Sequence, residues 1–268
     1  MDMKLFENCK VAVCLSGEPR TYRHCAESIK KHYSSSRGNE FFFFGHTWSG
    51  NSYKRFQPSG FYVYEFTKED KNQISQELKN HFNFADLEVE DQFIQDGLTS
   101  WFYSMMKANF LKQQYEVKHN MMFDLVIHSR YDLVFPPGLL FEEGMPSVIE
   151  EKTLYSHFGF YRPEFFLPNP DAVHYAGTSM TMDIVENFYN VWANGAFEKM
   201  QRSGYPDNVN WRKSGPGVLL HKWATLRNIL TRECSNNIYA VYRKDCAEKG
   251  LTPEKDYDLI KRMEQAGI

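Results

Sequence analysis

The sequence predicts an α/β protein with a largely parallel sheet and helices on both faces, and three observations lead to this fold class. Short apolar runs of strand length occur at 10–15, 41–44 and 61–66, and a longer strand-like segment, interrupted by charges, occurs at 124–135. Between them lie segments whose apolar residues follow helical spacing, most clearly over 98–118. The order strand, helix, strand, strand, helix, helix, strand is typical of parallel strands joined by helices.

The first part of the chain supplies three of these strands. The apolar run KVAVCL ends in a turn, Ser16 to Arg20, and Thr67 is a side chain that can cap a helix. The predicted elements are, in order, a strand at 10–15, a helix at 22–33, strands at 41–44 and 61–66, and a helix at 68–80.

The middle of the chain carries the longest predicted helix. Its apolar stripe consists of Leu98, Trp101, Met105, Ala108, Leu111 and Tyr115. The helix leads into the segment DLVIHSRYDLVF, a strand-like run that charged residues interrupt. Further elements are predicted as strands at 154–160 and 173–176 and helices at 180–194 and 218–229. Without a repeat or a linker, a single domain over 1–268 is expected.

Composition excludes several classes of protein. A hydrophobic content of 42% in 268 residues is sufficient for a core, and a net charge of −3 argues against a dedicated nucleic-acid binder. Five cysteines without a Cys-x-x-Cys pair indicate free thiols in a reducing compartment. The first residues are too charged for a signal peptide, and no run approaches the ~20 apolar residues of a membrane span. We therefore expect a cytoplasmic protein without a transmembrane segment.

Polar residues follow three of the predicted strands. They are Ser16, Gly17 and Arg20 after the first strand, His46 to Trp48 after the second, and Arg130 and Asp132 late in 124–135. Ligands of such sheets bind beyond the carboxyl ends of the strands, so these residues are predicted to border one crevice. The backbone N–H groups at Ser16 and Gly17, with the charge of Arg20, suit a phosphate. The alternative is an ordinary turn with a surface arginine.

The charges at Arg130 and Asp132 also have two interpretations. An unpaired buried charge costs several kcal/mol, and alternate residues of a strand share a face, so the two side chains can form a structural ion pair. Alternatively, the Asp132 carboxylate holds a divalent ion against a diphosphate. His46 and His221 are isolated histidines, which are more often structural residues than metal ligands.

Five segments in order carry a resemblance to a known family: VAVCLSGEPRTY, FFFFGHTW, YSMMKANFLKQQYE, YDLV and VLLHKWATLRNI. Together they resemble glycosyltransferase-like proteins of bacterial surface-polysaccharide loci and of large phages and viruses. Members are similar to the GT-A class. The resemblance covers roughly 10–48, 100–135 and 173–230.

The resemblance implies a Rossmann-like, mainly parallel sheet, with a nucleotide-sugar-binding half over 1–138 and a more variable acceptor half over 139–268. It also implies transfer of a sugar from a nucleotide-diphosphate sugar to a hydroxyl of a glycan or polysaccharide. The residues it assigns to the sugar nucleotide are Ser16, Gly17, Arg20, His46, Trp48, Lys107, Asn109 and Arg130.

In the resemblance, Arg130-Tyr131-Asp132 occupies the place of an Asp-x-Asp metal motif. A divalent cation, Mn²⁺ or Mg²⁺, would therefore bind Asp132, and His221 would complete its site. Arg130 stands where the motif has aspartate, so its guanidinium can replace one charge of the ion. An inverting enzyme also needs a carboxylate base, for which Asp171 and Asp183 are the candidates.

Two other classes of function fit the same residues. One is a nucleotide-sugar-binding homologue without activity. The other is a different transferase, such as a sulfotransferase, in which Arg20 and Arg130 bind a phosphonucleotide. In each case the expected location is the cytoplasm of a bacterium or of an infected host cell.

Overall fold

The structure is a computed structural model that describes residues 3–56, 62–91, 97–135, 138–158, 170–195, 216–234 and 240–241. The strands are β1 (Met3–Leu5), β2 (Lys10–Gly17), β3 (Glu40–Trp48), β4 (Gly50–Phe56), β5 (Tyr62–Lys68), β6 (Phe84–Glu90), β7 (Leu125–Arg130), β8 (Leu133–Val134), β9 (Val148–Glu150), β10 (Thr153–Phe158), β11 (Pro170–Gly177), β12 (Leu230–Glu233) and β13 (Ala240–Val241). The helices are α1 (Tyr22–His32), α2 (Lys71–His81), α3 (Gly97–His119), α4 (Phe141–Gly144), α5 (Ser179–Glu186), α6 (Phe188–Ala193) and α7 (Pro216–Leu226).

The central sheet has seven strands in the order β12-β10-β11-β7-β2-β3-β6. Strands β7, β2, β3 and β6 are parallel, while β11 is antiparallel to both of its neighbours, β7 and β10. The α/β class with a mostly parallel sheet is therefore confirmed, and the antiparallel β11 makes the sheet mixed. The pairs β1–β9, β4–β5 and β8–β13 form small antiparallel sheets beside it.

Alternation along β2 separates two hydrophobic cores. Val11, Val13 and Leu15 belong to the core that includes the apolar residues of α1 and α2, which we call the α1 face. Ala12 and Cys14 belong to the core formed with α3, α5, α6 and α7, which we call the α3 face. The strand is buried on both faces, which explains its continuous apolar sequence.

Three boundaries differ from the predictions. Thr67 lies in β5, and Asp70 caps α2 instead, because its carboxylate accepts a hydrogen bond from the Gln73 N–H at 2.8 Å. The helix expected over 180–194 is divided at Asn187 into α5 and α6. The strand expected over 124–135 ends at β7 and resumes as β8, with a turn at 131–132 between them.

The order of the strands creates a switch point between β2 and β7. From β2 the chain adds β3 and β6 on one side, and α3 then returns it to the other side of β2, where β7 pairs. Loops leaving the carboxyl ends of β2 and β7 therefore diverge, and ligands of open α/β sheets bind in such a crevice. Among the described residues, no helix has the length and apolar character needed to cross a membrane.

Candidate functional site

Two arginines converge on one buried aspartate at this switch point. Asp132 is 1% exposed, and its carboxylate accepts two hydrogen bonds from Arg130, from Nε at 2.8 Å and from Nη2 at 2.5 Å. Arg20, in the turn after β2, places Nη1 at 3.5 Å from Asp132 Oδ2 and donates through Nε to Glu18 at 3.0 Å. The ion pair considered for Arg130 and Asp132 is thus present, and Arg20 extends it to the turn after β2.

The arginine–aspartate cluster is buried at its carboxylate and partly exposed at its cations. The side chain of Arg20 is 35% exposed and that of Arg130 is 21% exposed. A guanidinium presents donors in a planar fork that matches phosphate oxygens. Asp132 orients the Arg130 fork through two hydrogen bonds, while Glu18 and Asp132 both contact Arg20. The cluster can therefore bind a phosphate or diphosphate from solvent.

The backbone of Gly17, where β2 ends, is hydrogen-bonded to other parts of the protein. Gly17 has a φ of 101°, a left-handed conformation that favours glycine. Its N–H donates to Ser104 Oγ at 2.7 Å, and its carbonyl accepts from Thr47 Oγ1 at 2.8 Å. The Gly17 amide predicted to face a phosphate is instead satisfied by α3. Ser16 is buried, and its Oγ has no hydrogen-bond partner within the described residues.

His46 and Trp48 lie under α3 and do not line an open crevice. Ser104 Oγ is 2.8 Å from His46 Nδ1, and the Trp48 ring stacks on Tyr103 with centroids 5.5 Å apart. Burial lowers the pKa of His46, while nearby Glu90 opposes that effect. His46 is therefore a buried, neutral residue in this arrangement, and its role in a ligand site is indirect.

Lys107 lies at the same edge but is bound to two carboxylates of β6. Its Nζ is 2.9 Å from both Glu88 Oε2 and Glu90 Oε1, and Tyr103 donates to Glu90 Oε2 at 2.9 Å. The sequence prediction missed β6 and both glutamates. The signal was present, because FADLEVE alternates Glu88 and Glu90 with Leu87 and Val89 at the period of a strand.

Asn109 and Asp183 belong to a different cluster, between α3 and α5. Asn109 Nδ2 donates to Asp183 Oδ1 at 2.9 Å, and the buried Lys112 donates to the same oxygen at 2.7 Å. Since α3 runs from the carboxyl edge toward the amino edge, this cluster lies farther from the switch point than Ser104 does. Asp183 therefore joins two helices and is not placed beside Arg20.

The structure does not bring His221 to Asp132. His221 Nδ1 lies 3.5 Å from Thr231 Oγ1, a residue of β12. In the sheet, β12 is three strands away from β7, a separation of about 14 Å at the spacing of neighbouring strands. Asp171 is the second residue of β11, and its side chain lies outside the described part of the chain. Because β11 is antiparallel to β7, β11 begins at the carboxyl edge of β7, and the backbone of Asp171 lies there.

The arrangement does not fit the divalent ion that the sequence prediction placed here. Both oxygens of Asp132 already accept hydrogen bonds from arginine, and two guanidinium charges occupy the space beside it. Across the ranges that the structure describes, no group of three or more His, Cys, Asp or Glu side chains is placed to hold a metal. The positive charges beside Asp132 are those of Arg20 and Arg130.

No protein-family model and no curated protein matches this sequence.

Proposed function

We propose that the protein is a GT-A-like glycosyltransferase that moves a sugar from a nucleotide-diphosphate sugar to a hydroxyl acceptor, with Arg20 and Arg130 binding the diphosphate. The observation that carries this proposal is the convergence of these two arginines, from the turn after β2 and from the end of β7, on Asp132. They meet at the point of the sheet where α/β proteins bind nucleotides.

The chemistry of transfer fits a pair of fixed cations. The acceptor oxygen attacks the anomeric carbon, and the bond from that carbon to the phosphate oxygen breaks, with its electron pair leaving on the nucleoside diphosphate. Negative charge grows on the diphosphate as this bond breaks, so guanidinium groups already oriented by Asp132 stabilise the transition state more than the ground state. The side chains of Arg20 and Arg130 are both partly exposed, so a ligand from solvent can contact them.

If the transfer inverts the anomeric configuration, a carboxylate base must also take the proton of the attacking hydroxyl. Of the two candidates, Asp183 is bound to Lys112 and Asn109 away from the switch point. Asp171 has its backbone at the carboxyl edge of β7, so it remains the candidate base in this proposal.

A thermal-shift screen tests the proposal. The ligands are UDP, GDP, CDP and adenosine 3′,5′-bisphosphate, each in EDTA and in Mn²⁺. A ligand at 100 times its Kd stabilises by ~2.7 kcal/mol, which gives a measurable shift. We expect a nucleoside diphosphate to stabilise the wild type and Arg37→Met but to have little effect on Arg20→Met; exposed Arg37 lies in the loop before β3, at the opposite edge. Stabilisation by the bisphosphate alone indicates a sulfotransferase, and no stabilisation by any ligand contradicts nucleotide binding.

A further inference from the structure

A pair of carboxylates faces the α3 side of the sheet at the same carboxyl edge as the arginine–aspartate cluster. Glu88 and Glu90 are alternate residues of β6, so they share a face, and Lys107 Nζ lies 2.9 Å from a carboxylate oxygen of each. The three side chains are 36%, 18% and 19% exposed, respectively. Solvent therefore reaches all of them.

We propose that Glu88, Glu90 and Lys107 form a binding site for a vicinal diol of a sugar ring. The diol belongs either to the ribose of the nucleotide or to the transferred sugar. The identity of the molecule that carries the diol rests on the proposed function. The binding of a diol as such follows from the chemistry of the three side chains.

The hydrogen-bonding capacity of the cluster matches a diol. An ionised carboxylate has about four acceptor sites and an ammonium has three donors. The described contacts use one acceptor site of Glu88, two of Glu90 and two donors of Lys107. Two neighbouring hydroxyls can therefore each donate to one carboxylate, while an oxygen of the diol accepts from the ammonium.

A buried imidazole is aimed at the same site from inside the protein. His46 is 0% exposed, and its Nε2 has no hydrogen-bond partner among the residues described. This nitrogen points at Glu90 Oε2 from 3.7 Å, too far for a hydrogen bond. The neighbouring His46, together with Lys107 and Tyr103, lowers the pKa of Glu90, so this carboxylate remains an acceptor at neutral pH.

The register of the sheet connects this site with the arginine–aspartate cluster. Arg130 pairs with Ser16, Ser16 pairs with His46, and His46 pairs with Glu88 across four adjacent parallel strands. Residues paired in this way share the α3 face. At the spacing of neighbouring strands, the row from Arg130 to Glu88 spans about 14 Å between Cα atoms. A nucleotide sugar carries a diol on either side of its diphosphate, so one ligand can reach both ends of this row.

Two measurements test the diol site with Glu88→Gln and Glu90→Gln, which keep the size of each side chain and remove its charge. The control is Glu40→Gln, an exposed residue that begins β3 at the opposite edge of the sheet. Calorimetry compares UDP and GDP with their 2′,3′-dideoxy counterparts. Saturation-transfer NMR uses free ribose and methyl hexopyranosides as probes. The melting temperature of each variant shows whether it is folded.

If ribose is the ligand, the wild type and the control bind the diol-containing nucleotide at least tenfold more tightly than the dideoxy form, and both glutamine variants lose this preference. If the transferred sugar is the ligand, the two nucleotides bind equally, and hexopyranoside signals are lost only in the glutamine variants. The diol site is overturned if the wild type binds both nucleotides equally and gives no NMR signal from any free sugar. It is also overturned if the preference for the diol-containing nucleotide and the sugar signals persist in both glutamine variants. Sugar signals that depend on Glu88 and Glu90 without nucleotide binding support the diol site and contradict the proposed function.

Discussion

Asp132 determines the geometry of the candidate site at the scale of single residues. The apolar sequence on both sides of it predicts one continuous strand, but the strand ends at Arg130 and Asp132 lies in the following turn. A buried carboxylate needs partners, and the turn places it where Arg20 from the turn after β2 and Arg130 from the end of β7 reach it. The charges interrupt the strand because they join the end of β7 to the turn after β2.

Removing Arg130 should therefore destabilise the fold. Arg130→Met leaves Asp132 buried with only the longer contact to Arg20, and breaking a buried pair costs about 3 kcal/mol or more. Urea denaturation should show this loss in the variant and almost none in Arg37→Met, which replaces an exposed arginine. An unchanged midpoint for Arg130→Met would mean that the pair contributes little to stability.

His32 should make stability depend on pH. Burial lowers its pKa to about 4, although its Nδ1 lies 2.9 Å from the Leu139 carbonyl, and its ring stacks on Phe135 with centroids 3.7 Å apart. Between pH 6.5 and 4 the unfolded chain binds a proton that the folded protein excludes, so stability is full above this range and falls as the pH falls. Between pH 7 and pH 5, protonation of His32 in the unfolded chain should lower the free energy of unfolding by about 2 kcal/mol.

The test is the variant His32→Gln, which does not titrate. Urea unfolding at pH 5, 6 and 7 should show a smaller pH dependence in this variant than in the wild type, whatever its stability at pH 7. The same slope in both proteins would show that His32 is not the titrating group.

At the scale of elements, α3 joins the parts of the site. Ser104 holds the Gly17 turn, Lys107 binds β6, and Lys112 binds α5. The sequence predicts the helix and much of its apolar stripe, but not that Ser104 and Lys112 are buried. Their partners lie 87 and 71 positions away in the chain, at Gly17 and Asp183, so only the tertiary fold brings them together.

Lys112 should be among the most sensitive positions of α3. Its ammonium is fully buried and contacts Ser179 at 2.6 Å, Asp183 at 2.7 Å and Glu116 at 3.0 Å. Lys112→Met fills the space but leaves two carboxylates without their cation, so we expect a loss of about 3–5 kcal/mol in urea denaturation. The control Lys118→Met replaces an exposed lysine in the last turn and should change stability little. Comparable losses in the two variants would contradict this account of Lys112.

Strand direction marks the limit of prediction from the sequence. Apolar runs predicted β2, β3 and β7 because a buried strand must be apolar on both faces. The run at 173–176 predicted a strand but not its direction, since a short apolar run has the same composition either way, and β11 is antiparallel. The strand β6 was missed because its acidic residues resemble a solvated segment, although they bind Lys107.

At the scale of the whole molecule, the strand order places the site. The chain extends the sheet to one side of β2 and then to the other, so β2 and β7 are neighbours and their carboxyl ends lie side by side. The order of the predicted elements placed Arg20 and Asp132 at neighbouring carboxyl ends, and the two side chains do approach each other there. The register of β3 and β6 could not be predicted, and it adds the carboxylates of Glu88 and Glu90 to the same edge.

The central claim is that arginine, and not a metal ion, binds the diphosphate at this crevice. The most direct test is calorimetric titration of the most stabilising nucleoside diphosphate into wild type, Arg130→Lys and the control Arg37→Lys, each in EDTA and in Mn²⁺. Lysine keeps the charge but loses the fork that contacts Asp132 and that we propose to bind a phosphate. We predict equal wild-type affinity in EDTA and in Mn²⁺, at least tenfold weaker binding by Arg130→Lys, and no change in the control. Binding that requires Mn²⁺, or that Arg130→Lys leaves unchanged, would contradict the claim.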